Sequence, residues 1–192
     1  MNPFDFTSKL PQILVPNILN SRAAALSGFA NNKTANGPLI GAAGELIADA
    51  YFTELKSLGL ISGFKYTGNT PGHDYEVQAG GIMRTFDVKT KRRTFAPQLY
   101  FEMSVPDYLY QNPTYVDPDY FLCVQVNTTT AVSTVFTNAW VIGAISKANY
   151  ILHRKFVQQG SAVGGAGGIT GAMPTSVQNV EFRHFKNPTF PY

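Results

Sequence analysis

The seven residues TFDVKTK, positions 85–91, constrain this chain more than any other segment. Aromatic and β-branched residues alternate there with charged ones, the pattern of a strand buried on one face. Successive side chains of a strand point to opposite faces. Thr85, Asp87, Lys89 and Lys91 therefore share one face, and Phe86, Val88 and Thr90 share the other. With Phe86 and Val88 in a core, Asp87 and Lys89 emerge together on the far side. Any fold that accepts this strand presents an acid and an ammonium two residues apart.

The preceding residues supply a partner. Gly80-Gly81 is a hairpin turn between strand candidates His73–Val77 and Met83–Lys91. Such a hairpin brings Asp74 and Glu76 alongside the second strand and sets Asp74 next to Asp87. Two adjacent carboxylates repel unless a proton or cation lies between them. Magnesium suits such a place, since it takes one or two carboxylates together with water and substrate phosphate. Glu76, on the same face as Asp74, competes with it as the first acid. In isolation the same residues also make an ordinary surface strand pair with a cross-strand ion pair.

The surrounding chain reads as α/β, a mixed central sheet flanked by helices. Residues 1–40 form an N-terminal extension broken by Pro3, Pro11 and Pro16, with a helix from Asn17 to near Gly28 and a loop from Asn31 to Pro38. A core follows over 41–157. Its helix is Gly44–Leu58, where Ile47, Ala50, Tyr51, Leu55 and Leu58 make an apolar stripe and Gly59 the stop. Glu45 lies in the first turn, where a carboxylate suits the helix dipole, and Asp49 follows on the same flank. Further strands are read at Gly63–Thr67, Tyr120–Asn127 and Val132–Ile142, with a half-strand, half-loop region over Leu99–Pro118 and a helix over Ala144–Gln159. Residues 158–192 combine a Gly-rich mobile loop with an edge strand at Val180–Phe185.

Composition removes several classes of function. Cys123 is the only cysteine, so an intramolecular disulfide and a cysteine zinc site are excluded, and a reduced cytoplasmic compartment fits. No apolar run reaches the ~20 residues of a membrane helix, which argues against a membrane partner, and the N-terminus lacks a signal-peptide pattern. His73, His153 and His184 have no metal-ligand spacing, and no glycine run ends in the G-K-[ST] of a phosphate loop. The net charge of +3 is small, but its distribution is uneven. Arg84, Lys89, Lys91, Arg92 and Arg93 face only Asp87 between positions 84 and 93, while 94–146 contains four acids and no Lys or Arg. Such a division of sign favours one surface for a polyanion.

The order of these parts resembles the PD-(D/E)XK nuclease superfamily, the restriction-endonuclease-like fold. A helix carrying Glu45 precedes a hairpin carrying Asp74, which leads into Asp87-Val88-Lys89. The resemblance spans roughly residues 41–145 and includes the run DVKT, the pair Gly44-Glu45, and the later strands beginning at Asp119 and Val135. The proline of the family's "PD" is missing before Asp74; Pro71 stands three residues earlier. The resemblance implies that Asp74, Asp87 and the Val88 carbonyl bind Mg²⁺, with Mn²⁺ as a substitute, and that Glu45 touches the ion directly or through water. It implies that Lys89 holds and helps activate the attacking water. Arg92 and Arg93, and more weakly Lys91, then contact DNA phosphates. The activity implied is a metal-dependent DNA endonuclease of homing or restriction type, acting as a homodimer. A Holliday-junction resolvase or repair nuclease is the alternative within the class. A non-catalytic DNA-binding protein on a nuclease scaffold is the alternative outside it.

Overall fold

A computed structural model describes residues 3–27, 36–68, 72–163, 171–172 and 176–186. Its first half contains β1 (Phe4–Asp5), α1 (Leu10–Ile13), α2 (Pro16–Ser27), α3 (Gly37–Ser57), β2 (Gly63–Tyr66), β3 (Tyr75–Ala79) and β4 (Ile82–Arg93). The second half adds β5 (Glu102–Pro106), β6 (Tyr120–Thr128), β7 (Phe136–Ser146), α4 (Lys147–His153), β8 (Lys155–Val157), β9 (Ala162–Val163), β10 (Gly171–Ala172) and β11 (Val177–Glu181). The chain is mixed α/β.

Six strands form the main sheet in the order β1-β7-β6-β4-β3-β2. Only β4 and β6 run parallel; the other neighbours are antiparallel. Gly80 and Gly81 turn the β3–β4 hairpin with φ of 56° and 78°. A tight hairpin turn needs these left-handed angles, and glycine adopts them without a Cβ penalty. The connection from β4 to β6 crosses one face and contributes β5 to a second, three-stranded sheet ordered β5-β11-β8. Its crossing covers β6, which explains why YFLCVQVN reads as an almost unbroken apolar run rather than an alternation.

Helix α3 covers the opposite face. Ile47, Ala48, Tyr51, Phe52 and Leu55 pack on Tyr75, Val77, Phe86, Val88, Leu122 and Val124. The Phe52 ring lies 5.1 Å from that of Tyr75 and 5.5 Å from that of Phe86. The helix crosses β4 most closely at Gly44, where a Cβ would stand 1.8 Å from Thr90 Oγ1. Gly44 thus fixes how near the following residue, Glu45, comes to the sheet. Between the two sheets a separate core holds Phe101, Met103, Val105, Phe121, Cys123, Ile142, Tyr150 and Phe182.

Several sequence expectations change. Helix α3 starts at Gly37, seven residues before Gly44, because Pro38 sits in the first turn, where its missing N–H costs nothing. The residues read as an extension belong to the same body: β1 pairs with β7, Phe6 and Leu10 are buried, and α2 packs on α3. The helix expected over Ala144–Gln159 shortens to Lys147–His153. Ala144 exchanges backbone hydrogen bonds with Lys186, so β7 continues to Ser146, whose side chain caps α4 by accepting from Asn149 N–H. The C-terminal strand is central in the small sheet rather than at its edge, and Phe182–His184 turns as a 3-10 helix. Positions 31–35, Pro71, 164–170 and 173–175, read above as parts of loops, lie outside the described residues. Among those described, no helix is long and apolar enough to cross a membrane.

Candidate active site

The β3–β4 ladder stops at the pair Tyr75–Phe86, while β4 continues beside β6 to Arg93. From Val88 onward β4 therefore has a partner on one edge only, and the sheet opens into a notch. Asp74 stands at its mouth. Its backbone N–H donates to the Phe86 carbonyl at 2.8 Å, and its Oδ2 accepts the Val88 N–H at 2.7 Å. A strand residue directs its N–H and C=O to the same side, so the Val88 carbonyl also faces the notch. Asp87 and Lys89 lie on the face turned toward the small sheet, level with Phe121 and Cys123 in the parallel register. Lys89 Nζ is 2.7 Å from Asp87 Oδ2, and Asp87 is 6% exposed.

Asp74 thus lies near the plane of the sheet and feels charge from both faces. Burial pushes its carboxyl well above the usual carboxylate range, and the Asp87 charge pushes it further. Glu45 adds to this, while Lys89 and the Val88 N–H oppose it. Asp74 follows the hairpin register one step past Tyr75–Phe86 and so stands across from Asp87, whose charge reaches it. Glu76 sits two residues down the hairpin, opposite Thr85, with its carboxylate 3.8 Å from His73 Nε2.

Glu45 occupies the α3 side with partners of its own. Its Oε2 accepts from Arg22 Nη1 at 3.2 Å and from the Tyr66 hydroxyl at 2.8 Å. Arg22 Nη2 reaches Asp49 Oδ2 at 3.1 Å, and the Tyr75 hydroxyl donates to Asp49 Oδ1 at 2.8 Å. The Arg22 guanidinium also lies over the Tyr66 ring, 3.8 Å from its centroid. Burial pushes both the Glu45 and Asp49 carboxyls up, against the opposing pull of Arg22 and the tyrosine hydroxyls. Glu45 therefore acts on Asp74 through its charge while its oxygen is held by Arg22.

The basic run of β4 divides between the faces. Lys91 turns into the gap between the sheets and donates to Ser104 Oγ at 2.7 Å; burial lowers its pKa to about 8. Arg93, on the same face, lies 5.4 Å from the Phe101 ring centroid. Arg92 points to the α3 face, and its Nη1 is buried without a hydrogen-bond partner.

Arg22, Asp119 and Tyr115 also border the site. Arg22 is twenty-three positions from Glu45 and sits in a helix with no charged partner of its own. Asp119 Oδ2 accepts from Thr85 N–H at 2.9 Å and from Thr85 Oγ1 at 3.2 Å, tying the starts of β4 and β6 together. Tyr115, in the crossover, packs edge-on against Tyr110 and feels the Asp87 charge, which adds to burial in raising its hydroxyl pKa. No sequence spacing marks any of these contacts.

Asp74 and Asp87 each commit Oδ2 to a neighbour and have a second oxygen to offer. Their mutual repulsion and their hard oxygen donors fit a small divalent cation. Among the described residues no three His, Cys, Asp or Glu side chains converge on one point. A cation here would have two carboxylates and the Val88 carbonyl to bind it, with Glu45 as an outer charge rather than a third direct ligand. No family model, no curated protein and no solved structure is similar to this chain at a significant level.

Proposed function

We propose that this protein is a magnesium-dependent endonuclease that hydrolyses DNA phosphodiesters on a restriction-endonuclease-like core. The observation that carries the reading is the Asp74–Asp87 pair at the mouth of the notch, with Lys89 Nζ 2.7 Å from Asp87. The order of parts supports it as well: helix α3 with Glu45 is followed in a mixed sheet by Asp74 just ahead of β3 and by Asp87 and Lys89 on β4.

Asp74, Asp87 and the Val88 carbonyl would hold Mg²⁺, or Mn²⁺ in its place. The ion would supply positive charge for the non-bridging phosphate oxygens and lower the pKa of water. Lys89 holds the attacking water by donating a hydrogen bond to its oxygen, and its compact charge offsets negative charge growing on the phosphate. Asp87 keeps the ammonium aimed at that position. Glu45, fixed by Arg22 and Tyr66, adds negative charge behind Asp74 and strengthens cation binding. Of the strand-end cations, the half-buried Arg92 is the proposed phosphate contact, while Lys91 and Arg93 already have neighbours between the sheets. Cutting both strands of a duplex symmetrically needs two such sites, hence a homodimer.

Incubation with plasmid and branched DNA tests the reading. Cleavage is expected with Mg²⁺ or Mn²⁺ and not with EDTA; equal cleavage in EDTA would remove the metal mechanism. Preference for the branched substrate would assign the resolvase alternative, and binding without cleavage in any metal would assign the non-catalytic one.

A further inference from the structure

A second concentration of cations lies away from the basic run of β4. Five of the fifteen Lys and Arg residues lie in two short segments: Lys147, Arg154 and Lys155, then Arg183 and Lys186. The fold joins these segments. Lys186 exchanges backbone hydrogen bonds with Ala144 just ahead of α4. The rings of His153 and His184 stack with centroids 3.9 Å apart. Lys155 and Arg183 both reach Glu181. Lys147, Lys155, Arg183 and Lys186 are exposed; the side chain of Lys155 is 71% exposed and that of Arg183 is 55% exposed.

This surface lies on the Asp87 side of the main sheet. Lys147 N–H donates to the carbonyl of Asp119, whose side chain binds Thr85, two residues from Asp87. Farther along, the Arg154 guanidinium lies 5.2 Å from the Tyr110 ring centroid, and Tyr110 packs edge-on against Tyr115 at 5.4 Å. Tyr115 in turn neighbours Asp87. The Lys147 end of this surface is therefore linked to the start of β4, two residues from Asp87 and on the same face of the sheet.

We infer that the surface formed by α4 and Phe182–Lys186 is a nucleic-acid track, with Lys147, Lys155, Arg183 and Lys186 contacting backbone phosphates. The inference rests on the nuclease reading for the purpose of the track, though not for its binding chemistry. Phosphate contacts position a strand without reading its bases, so affinity is expected to be salt-dependent and largely independent of sequence. Ile151 and Leu152 are exposed beside these cations, a combination that an anionic membrane also attracts, so vesicles form the opposing arm of the test.

The experiment measures fluorescence anisotropy of labelled single- and double-stranded oligonucleotides in EDTA, across a salt titration. The parent is compared with the fourfold variant Lys147→Ala, Lys155→Ala, Arg183→Ala, Lys186→Ala, and with the control Lys9→Ala, Lys56→Ala, Lys65→Ala. The fourfold variant should lose at least about tenfold in affinity, and the slope of log K against log salt should flatten by roughly three. The control should bind as the parent does. Equal loss in both, or loss in neither, overturns the track. So does a fourfold variant that loses binding to vesicles containing phosphatidylserine while holding DNA normally. The double reversal Lys147→Glu, Lys186→Glu repeats the test on a second set of chains that must melt like the parent. Plasmid cleavage by the parent is scored separately. Cleavage with DNA binding untouched by the fourfold change removes the track and keeps the nuclease. Binding lost on that change, in a parent that never cuts, removes the nuclease and keeps the track.

Discussion

Two sets of charge flank the main sheet, each built from two carboxylates and one cation. On the α3 side, Arg22 forks between Glu45 and Asp49, and the hydroxyls of Tyr66 and Tyr75 complete the set. On the β4 side, Lys89 pairs with Asp87 and its charge also reaches Asp74, whose carboxyl nevertheless stays raised and accepts from the Val88 N–H. The guanidinium is planar and hydrogen-bonds two acids at once; the ammonium is a point charge. The first set is closed and ties α2 to α3. The second retains unbalanced negative charge at an opening in the sheet. One inventory of groups thus yields a structural clamp or a reactive site, according to how many of its oxygens are already held.

Substitutions that strike one set and spare the other test this contrast. The largest effect is expected from Asp87→Asn, which removes a proposed metal ligand: single-turnover cleavage should fall by roughly 1,000-fold or more, while DNA binding persists. Its companion Lys89→Ala should keep metal affinity by calorimetry and lose about 100-fold in turnover. If Asp49→Asn impaired cleavage as severely, below its melting temperature, the division between clamp and site would collapse. Arg22→Ala comes next. It strands Glu45 and Asp49 as buried acids without a cation and should cost about 3 kcal/mol in a denaturant titration at neutral pH. That loss should shrink in acid, where protonation relieves the stranded carboxylates.

The smallest effect concerns Lys91. Its folded pKa of about 8 lies below the ordinary lysine value of about 10.4. Between those values the folded chain holds fewer protons than the unfolded one, so this group's contribution to stability rises with pH across that window. Lys91→Met should therefore raise the melting temperature at pH 7 and lose that advantage as pH climbs through the window. DNA affinity should not change, because the ammonium faces Ser104; weaker DNA binding would return Lys91 to the phosphate contacts.

What could be read from the sequence was local. The two-residue period of TFDVKTK sorts Phe86, Val88 and Thr90 from Asp87 and Lys89, and Gly80-Gly81 sets the hairpin that brings Asp74 to Asp87. The pairing of Arg22 with Glu45 was hidden, since nothing in the spacing of α2 and α3 fixes how they lie against each other. Lys91 and Arg93 read as phosphate contacts on an open strand end because the sheet covering them is assembled from 102–106, 155–157 and 177–181, the last two far from β4 in sequence. The cationic surface was equally illegible: Lys147–Lys155 and Arg183–Lys186 are unremarkable runs until Ala144 and Lys186 pair. The helix over-read at Ala144–Gln159 fails for the same reason, a distant backbone partner that local propensity does not register.

The pairing of Phe4 with Val141 and Asp5 with Trp140 bears on how the chain is made. During translation the outermost strand is synthesised first, yet its hydrogen-bonding partner lies some 135 residues downstream. At about 5–20 residues per second the opening segment waits on the order of ten seconds for β7 to leave the ribosome. The hairpin and α3 can collapse in the meantime through short-range contacts, and closing the longest loop comes last.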